Sequence, residues 1–216
     1  MEPSLIAPPP WTLTGNGVVV LYHIPASFNR HYGFMSGYQQ RGYIGAVGAV
    51  VLADYETSEV GPYRELLYIP GMVRVGGKLT FSISKIYVST YDSLWNGRRN
   101  WGIPKELADF KRSELPDGTQ VYKVGISRRQ FFEAHVKPWS PRLPFSNRLL
   151  PYTHVTQQLS NTLLRTKPVA CGHAQLASLT EMAADPLFFP PLHHLTPLFA
   201  LALPDFRMTF PLPIML

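Results

Sequence analysis

The stretch Asn96-Gly-Arg-Arg-Asn-Trp-Gly-Ile-Pro-Lys-Glu-Leu-Ala-Asp-Phe110 follows a strand-like run, Leu79 to Thr90, and crowds turn formers around an aromatic side chain. Pro104 fixes its own φ and drives Ile103 toward extended geometry, so Lys105 leaves a stiffened piece of backbone. Trp101, Ile103 and Leu107 are apolar neighbours able to wall its amine off from water. Desolvation penalises the ammonium form, and a neutral amine near neutral pH can condense with a ketone to a Schiff base. By itself this pattern does not separate Lys105 from an ordinary solvated lysine.

A second segment, Gly61-Pro62-Tyr63-Arg64-Glu65, runs on to Ile69-Pro70. With Gly97-Arg98, Pro104-Lys105 and Leu107-Ala108 downstream, the chain resembles the acetoacetate decarboxylase superfamily over about residues 11 to 210. The resemblance implies a cone-like antiparallel β-barrel around the active site, with Lys105 as the Schiff-base lysine and Glu65 as the active-site glutamate. It also implies assembly into a homo-oligomer. Two positions depart from the family pattern. Glu106 stands where the decarboxylase has a second lysine, and the first strand, Trp11 to Ile24, has Gly15 or Asn16 in place of the family's arginine.

Composition sets the bounds. A chain of 216 residues, 45% apolar and 16% charged, is long enough to bury a core and is not of the disordered class. Its 21 scattered prolines favour strands, turns and loops over long helices. The net charge of +6 is spread thinly, densest at Arg98-Arg99 and Arg128-Arg129, with no nucleic-acid motif. A small-molecule substrate is therefore expected, with no nucleic acid and no membrane partner. A single cysteine, Cys171, excludes an internal disulfide and is read as a small buried residue. The N-terminus lacks the pattern of a signal peptide, and no apolar run spans a bilayer, so a cytoplasmic protein is expected.

In chain order, residues 1 to 10 read as a proline-rich arm and 11 to 216 as one domain. Strands are expected at Gly17–Ile24, Tyr43–Tyr55, Tyr63–Tyr68, Leu79–Thr90, Gln120–Ile126, Gln130–Val136, Val169–Leu179 and Leu198–Met208. Ala26 to Gly42 reads as loop or short helix, residues 137 to 151 as loop, and Val155 to Leu164 as either helix or strand. This is a mainly β (α+β) chain with few short helices, its antiparallel strands curled into a barrel or paired sheets.

Strand periodicity sharpens the reading of Glu65. Tyr63, Glu65, Leu67 and Ile69 share one face, on which Glu65 is the sole charge. A buried carboxylate needs a partner or a raised pKa. Two readings stand side by side: an acid/base group sharing a cavity with Lys105, or a structural partner of an arginine such as Arg98. By the same periodicity, Glu106 points away from the face of Lys105. Tyr63, Trp101 and Ile103 are placed as substrate contacts, and Arg99 or Arg64 as the anchor of a substrate carboxylate. No cofactor and no metal site are expected: His193-His194 sits among prolines without ligands at metal spacing, and His173 and Glu181 read as core or pocket residues.

Three functional classes follow. The first is a lyase on a keto or keto-acid substrate through a Lys105 Schiff base, with Glu65 as acid/base. The second is a non-imine cyclase or isomerase of an apolar polyketide- or terpenoid-like substrate. The third is a non-catalytic hydrophobic ligand-binding protein.

Overall fold

A computed structural model describes residues 2–45, 47–148 and 150–216; Ala46, inside the expected strand 43–55, lies outside the described residues. The elements run β1 (Trp11–His23), α1 (Ala26–Tyr32), α2 (Gly37–Gly42), β2 (Tyr43–Gly45), β3 (Val47–Thr57), β4 (Tyr63–Ile69), β5 (Met72–Val75), β6 (Lys78–Phe81), β7 (Lys85–Val88), α3 (Tyr91–Trp101) and β8 (Lys105–Leu107). They continue with β9 (Asp109–Glu114), β10 (Gln120–Ile126), β11 (Arg129–Pro138), β12 (Leu143–Ser146), β13 (Val155–Leu159), β14 (Thr162–Thr166), β15 (Val169–Ala184), β16 (Pro197–Phe210) and β17 (Ile214–Met215).

A long sheet in the order β8-β7-β4-β3-β1-β16-β15-β11-β10-β9 curls into a half-barrel. A smaller sheet, β17-β14-β13-β6-β5-β2, lies beside it. Among the described residues, pairing is antiparallel except for β7 with β8 and β6 with β13. The mainly β, antiparallel barrel expected from the sequence is the fold observed.

The central strands are apolar on both faces because both are covered. Val18, Val20 and Tyr22 of β1, Val50 and Leu52 of β3, and Leu66 and Tyr68 of β4 enter one core with Phe131, Phe132 and Phe189. Trp11 and Leu13 of β1, Ala53 and Tyr55 of β3, and Tyr63 and Leu67 of β4 enter a second core with Trp101 and Ile103. Each fully buried large side chain contributes about 1.5–3 kcal/mol. The second core holds the candidate site.

Several local expectations are corrected. Residues 91–101, whose second half from Asn96 reads as turn-rich in the sequence, form α3. Thr90 caps it by accepting from the Ser93 N–H, Asp92 sits in its first turn and Arg98 and Arg99 in its last. Gly102, at φ 68°, closes it in the left-handed conformation that glycine adopts freely. Its buried stripe, Ser93, Asn96, Gly97 and Trp101, compensates for poor helix formers such as Asn and Gly. The run 79–90 is broken between β6 and β7, and Val155–Leu164 resolves into the hairpin strands β13 and β14, turned at Ser160 (φ 54°). Ala26–Gly42 holds two short helices, and the loop expected over 137–151 contains β12. Cys171 is exposed rather than buried, because its position on β15 faces outward. His173 is exposed too, its Nδ1 2.9 Å from Asp205. The proline-rich arm runs along α3: Asn96 Oδ1 accepts from the Ala7 N–H at 2.9 Å, and Asn96 Nδ2 donates to the Leu5 carbonyl at 2.7 Å. Among the described residues, no helix is long and apolar enough to cross a membrane.

Candidate active site

Lys105 opens β8, which pairs in parallel with β7 so that Lys105 lies opposite Ile86, and Glu106 opposite Tyr87. Ile86 belongs to the second core and Tyr87 to the first. Lys105 is therefore turned inward, 3% exposed. Glu106 is turned to the other side, where it accepts from Lys85 Nζ at 2.6 Å. The alternation expected from the sequence holds at this pair.

Opposite Lys105, β4 presents Tyr63, Glu65, Leu67 and Ile69 to one cavity, the face that strand periodicity assigns to them. Lys105 Nζ stands 3.1 Å from Glu65 Oε2, and Glu65 is 6% exposed. The partner of Glu65 is thus Lys105 and not Arg98. Arg98 instead donates from its Nε to the Lys105 carbonyl at 2.7 Å and so fixes the backbone from which the amine projects. Lys105 Nζ also donates to Ser93 Oγ at 2.9 Å and lies 3.5 Å from the Tyr63 hydroxyl. Tyr55 donates to Glu65 Oε1 at 3.5 Å. Burial, and then the charge of Glu65, pushes both phenols well above the usual tyrosine range, so Tyr55 and Tyr63 remain proton donors. The ammonium also faces aromatic rings, 4.9 Å from the centre of Tyr63 and 5.8 Å from that of Trp11.

The sequence pattern did not reveal Ser93 at this site, and it marked Gly97 only as part of the Gly97-Arg98 segment, without a role. Both lie on the buried stripe of α3, so their signal was a helical period that the Asn-Gly-Arg composition obscured. Gly97 is needed for space. A Cβ there would stand 2.7 Å from both Cδ and Cε of Lys105, so the lysine stem passes over a bare backbone. The Gly97-Arg98 and Pro104-Lys105 segments thereby form one device: Gly97 makes room for the side chain, and Arg98 holds its carbonyl.

The cavity has a volume of about 200 Å³. Its walls are Trp11, Leu13, Val51, Tyr55, Tyr63, Leu67, Ile69, Ile83, Ile86, Trp101, Ile103, Val155, Pro168, Met208 and Phe210. Among the described residues, Lys105 and Glu65 are the only charged ones lining it. Tyr63, Trp101 and Ile103 all line this cavity. Trp101 is held edge-on to Trp11 and Phe210, at 5.0 and 4.9 Å, and donates to the Pro211 carbonyl.

Neither arginine considered as a carboxylate anchor reaches the cavity. Arg99 is exposed on α3 with its guanidinium 5.1 Å from the Trp95 ring, because its helical position lies off the buried stripe. Arg64 lies on the other face of β4 and pairs with Asp54 at 3.1 Å. At the first-strand positions without an arginine, a Cβ on Gly15 would collide with the Asp54 carbonyl oxygen. Asn16 turns aside to Glu56 and Arg112.

Residues of metal-binding type meet elsewhere, at Glu133, His135 and Glu181. Glu133 there already accepts from Lys123 and Gln130, and the two ring nitrogens of His135 face different carboxylates. Among the described residues, no such group of three forms around Glu65 at the cavity.

A family model for acetoacetate decarboxylase matches residues 43–187, a span that contains Glu65, Ser93, Gly97 and Lys105. The chain belongs to the acetoacetate decarboxylase family. The acetoacetate decarboxylase of Legionella pneumophila superposes with a TM-score of 0.75 at 15% identity, over 100% of this chain and 90% of that one. An acetoacetate decarboxylase-like enzyme from Sphingomonas wittichii gives 0.72 at 9% identity, over 99% and 95%. The enduracididine biosynthesis enzyme MppR, complexed with pyruvate, gives 0.68 at 15%, over 99% and 93%. In sequence, the rice protein NEOXANTHIN-DEFICIENT 1 (Oryza sativa subsp. japonica) is 24% identical over 106 residues, a match spanning 49% of this chain and only 35% of that protein.

Proposed function

We propose that this protein is a lyase of the acetoacetate decarboxylase type that activates a keto or keto-acid substrate as an imine on Lys105, with Glu65 as acid/base. One observation carries the reading: a buried lysine amine 3.1 Å from a buried carboxylate, inside an apolar cavity. In the resting pair, a proton shift from Nζ to Glu65 exposes the amine lone pair without changing the net charge. The amine adds to the ketone carbon, and Glu65 gives its proton to the departing oxygen, which leaves as water as the C=N bond forms; Glu65 is then a carboxylate again. Counted from the ammonium form, ketone and Lys105-NH₃⁺ become iminium and water, so one positive charge is kept throughout. The iminium withdraws electrons from the adjacent carbon, and Glu65 takes the proton released there or returns it. Tyr55 and Tyr63 donate to the carboxylate and to developing oxygen charge, and the apolar walls exclude water that would hydrolyse the imine.

The test is incubation with a ketone or keto acid and borohydride, followed by mass spectrometry of the peptide containing Lys105. A reduced adduct on Lys105, absent from Lys105→Ala, is expected. No adduct, together with full turnover of the substrate by Lys105→Ala, overturns the imine. The apolar lining supports a second reading in that event, a cyclase or isomerase that folds an apolar substrate and uses Glu65 alone.

A further inference from the structure

We propose that the ligand of this cavity is an uncharged, apolar ketone and that keto acids are excluded from it, an inference that rests on the imine reading and narrows its substrate class. The argument is one of charge. Lys105 and Glu65 face each other 3.1 Å apart, 3% and 6% exposed, and together they are neutral. A neutral ketone preserves that balance at every stage: ammonium and carboxylate before condensation, iminium and carboxylate after it, enamine and carboxylic acid once Glu65 has taken the α-proton. A keto acid adds a second negative charge opposite a single positive one. In an apolar cavity such an unpaired charge is costly, and it needs a cation of its own.

Among the described residues, no such cation lines the cavity. Arg99 lies against Trp95 on the outer surface of α3, and Arg64 is on the far face of β4 with Asp54. Gly15 has no side chain, and the Asp54 carbonyl occupies the space where one would begin. The walls beyond the ion pair, including Leu13, Leu67, Ile69 and Met208, suit an alkyl or alkenyl body. With no carboxylate to lose, the chemistry left to the iminium is removal of a proton from the adjacent carbon, or cleavage of that carbon's bond to a hydroxyl-bearing neighbour as the hydroxyl gives its proton to Glu65. The bonds it would make or break are those of aldol, retro-aldol or dehydration chemistry.

The experiment compares two ligands that differ in one terminal group, 2-octanone and 7-oxooctanoate, by isothermal titration against the whole protein. Borohydride trapping of the same mixtures is run in parallel. The ketone is expected to bind at least about tenfold more tightly than the carboxylate. A Met208→Arg variant, which adds a cation to a half-buried position of the lining, is expected to tighten 7-oxooctanoate selectively. Equal or tighter binding of 7-oxooctanoate by the wild-type protein, or no binding of the ketone, overturns the inference. Trapping reports separately on the imine: a ketone preference with no adduct on Lys105 removes the Schiff base and leaves the neutral-ligand cavity standing.

Discussion

Replacing Gly97 by alanine separates the fit of Lys105 from the stability of the fold. In an exposed helix interior this change stabilises by about 1 kcal/mol, because alanine loses less conformational freedom than glycine. Here the new methyl would stand 2.7 Å from Cδ and Cε of Lys105 and 3.3 Å from Nζ. Carbon atoms pack at about 3.5–4.0 Å, so the stem must move by roughly 1 Å. Overpacking of that kind costs about 1–3 kcal/mol, which leaves a net loss of roughly 0–2 kcal/mol after the helix gain. Chemistry is more sensitive than stability. A shift of roughly 1 Å draws Nζ off Glu65 and Ser93 and is expected to slow adduct formation about 10²-fold. The assay is the time course of borohydride-trappable adduct on Lys105, with melting followed on the same preparation. Trapping within about twofold of wild type would refute the claim that Gly97 exists to seat the lysine.

Two further outcomes follow from the charges. Glu65→Gln and Lys105→Met each leave one buried charge unpaired and are expected to cost about 3–5 kcal/mol in urea unfolding, while the double variant recovers much of that loss. Additive losses would show that the two groups do not form one buried pair. Away from the cavity, the His135 hydrogen bond first, with Lys123 and Gln130, holds the Glu133 carboxyl down from 4.5 to about 2. A depressed folded-state pKa contributes stability that is complete above the unfolded value and lost as pH falls through the folded one. Melting temperature should thus decline between about pH 4.5 and pH 2, less steeply in Glu133→Gln, the effect being modest because the part-buried carboxylate keeps contact with solvent. Parallel acid limbs for the two proteins would count against it.

Whatever depends on local geometry could be read from the residues alone. Side chains alternate along any strand, so Tyr63, Glu65, Leu67 and Ile69 had to share a face once β4 was a strand, and Lys105 and Glu106 had to part. Valine-rich and aromatic runs marked the central strands because both of their faces enter a core. The cation that meets Glu65 was a matter of tertiary packing, because β4 and β8 are brought together through β7 rather than by nearness in sequence. So was α3, whose Asn-Gly-Arg composition reads as turn until Thr90 caps it and Ser93, Asn96, Gly97 and Trp101 find a core to face. Arg99 and Cys171 belong here as well: the register of their elements turned both outward, and no residue pattern around them encodes that register. Backbone geometry acts over two or three residues and is legible in a string of letters. The packing of one element against another acts across the whole chain and is not.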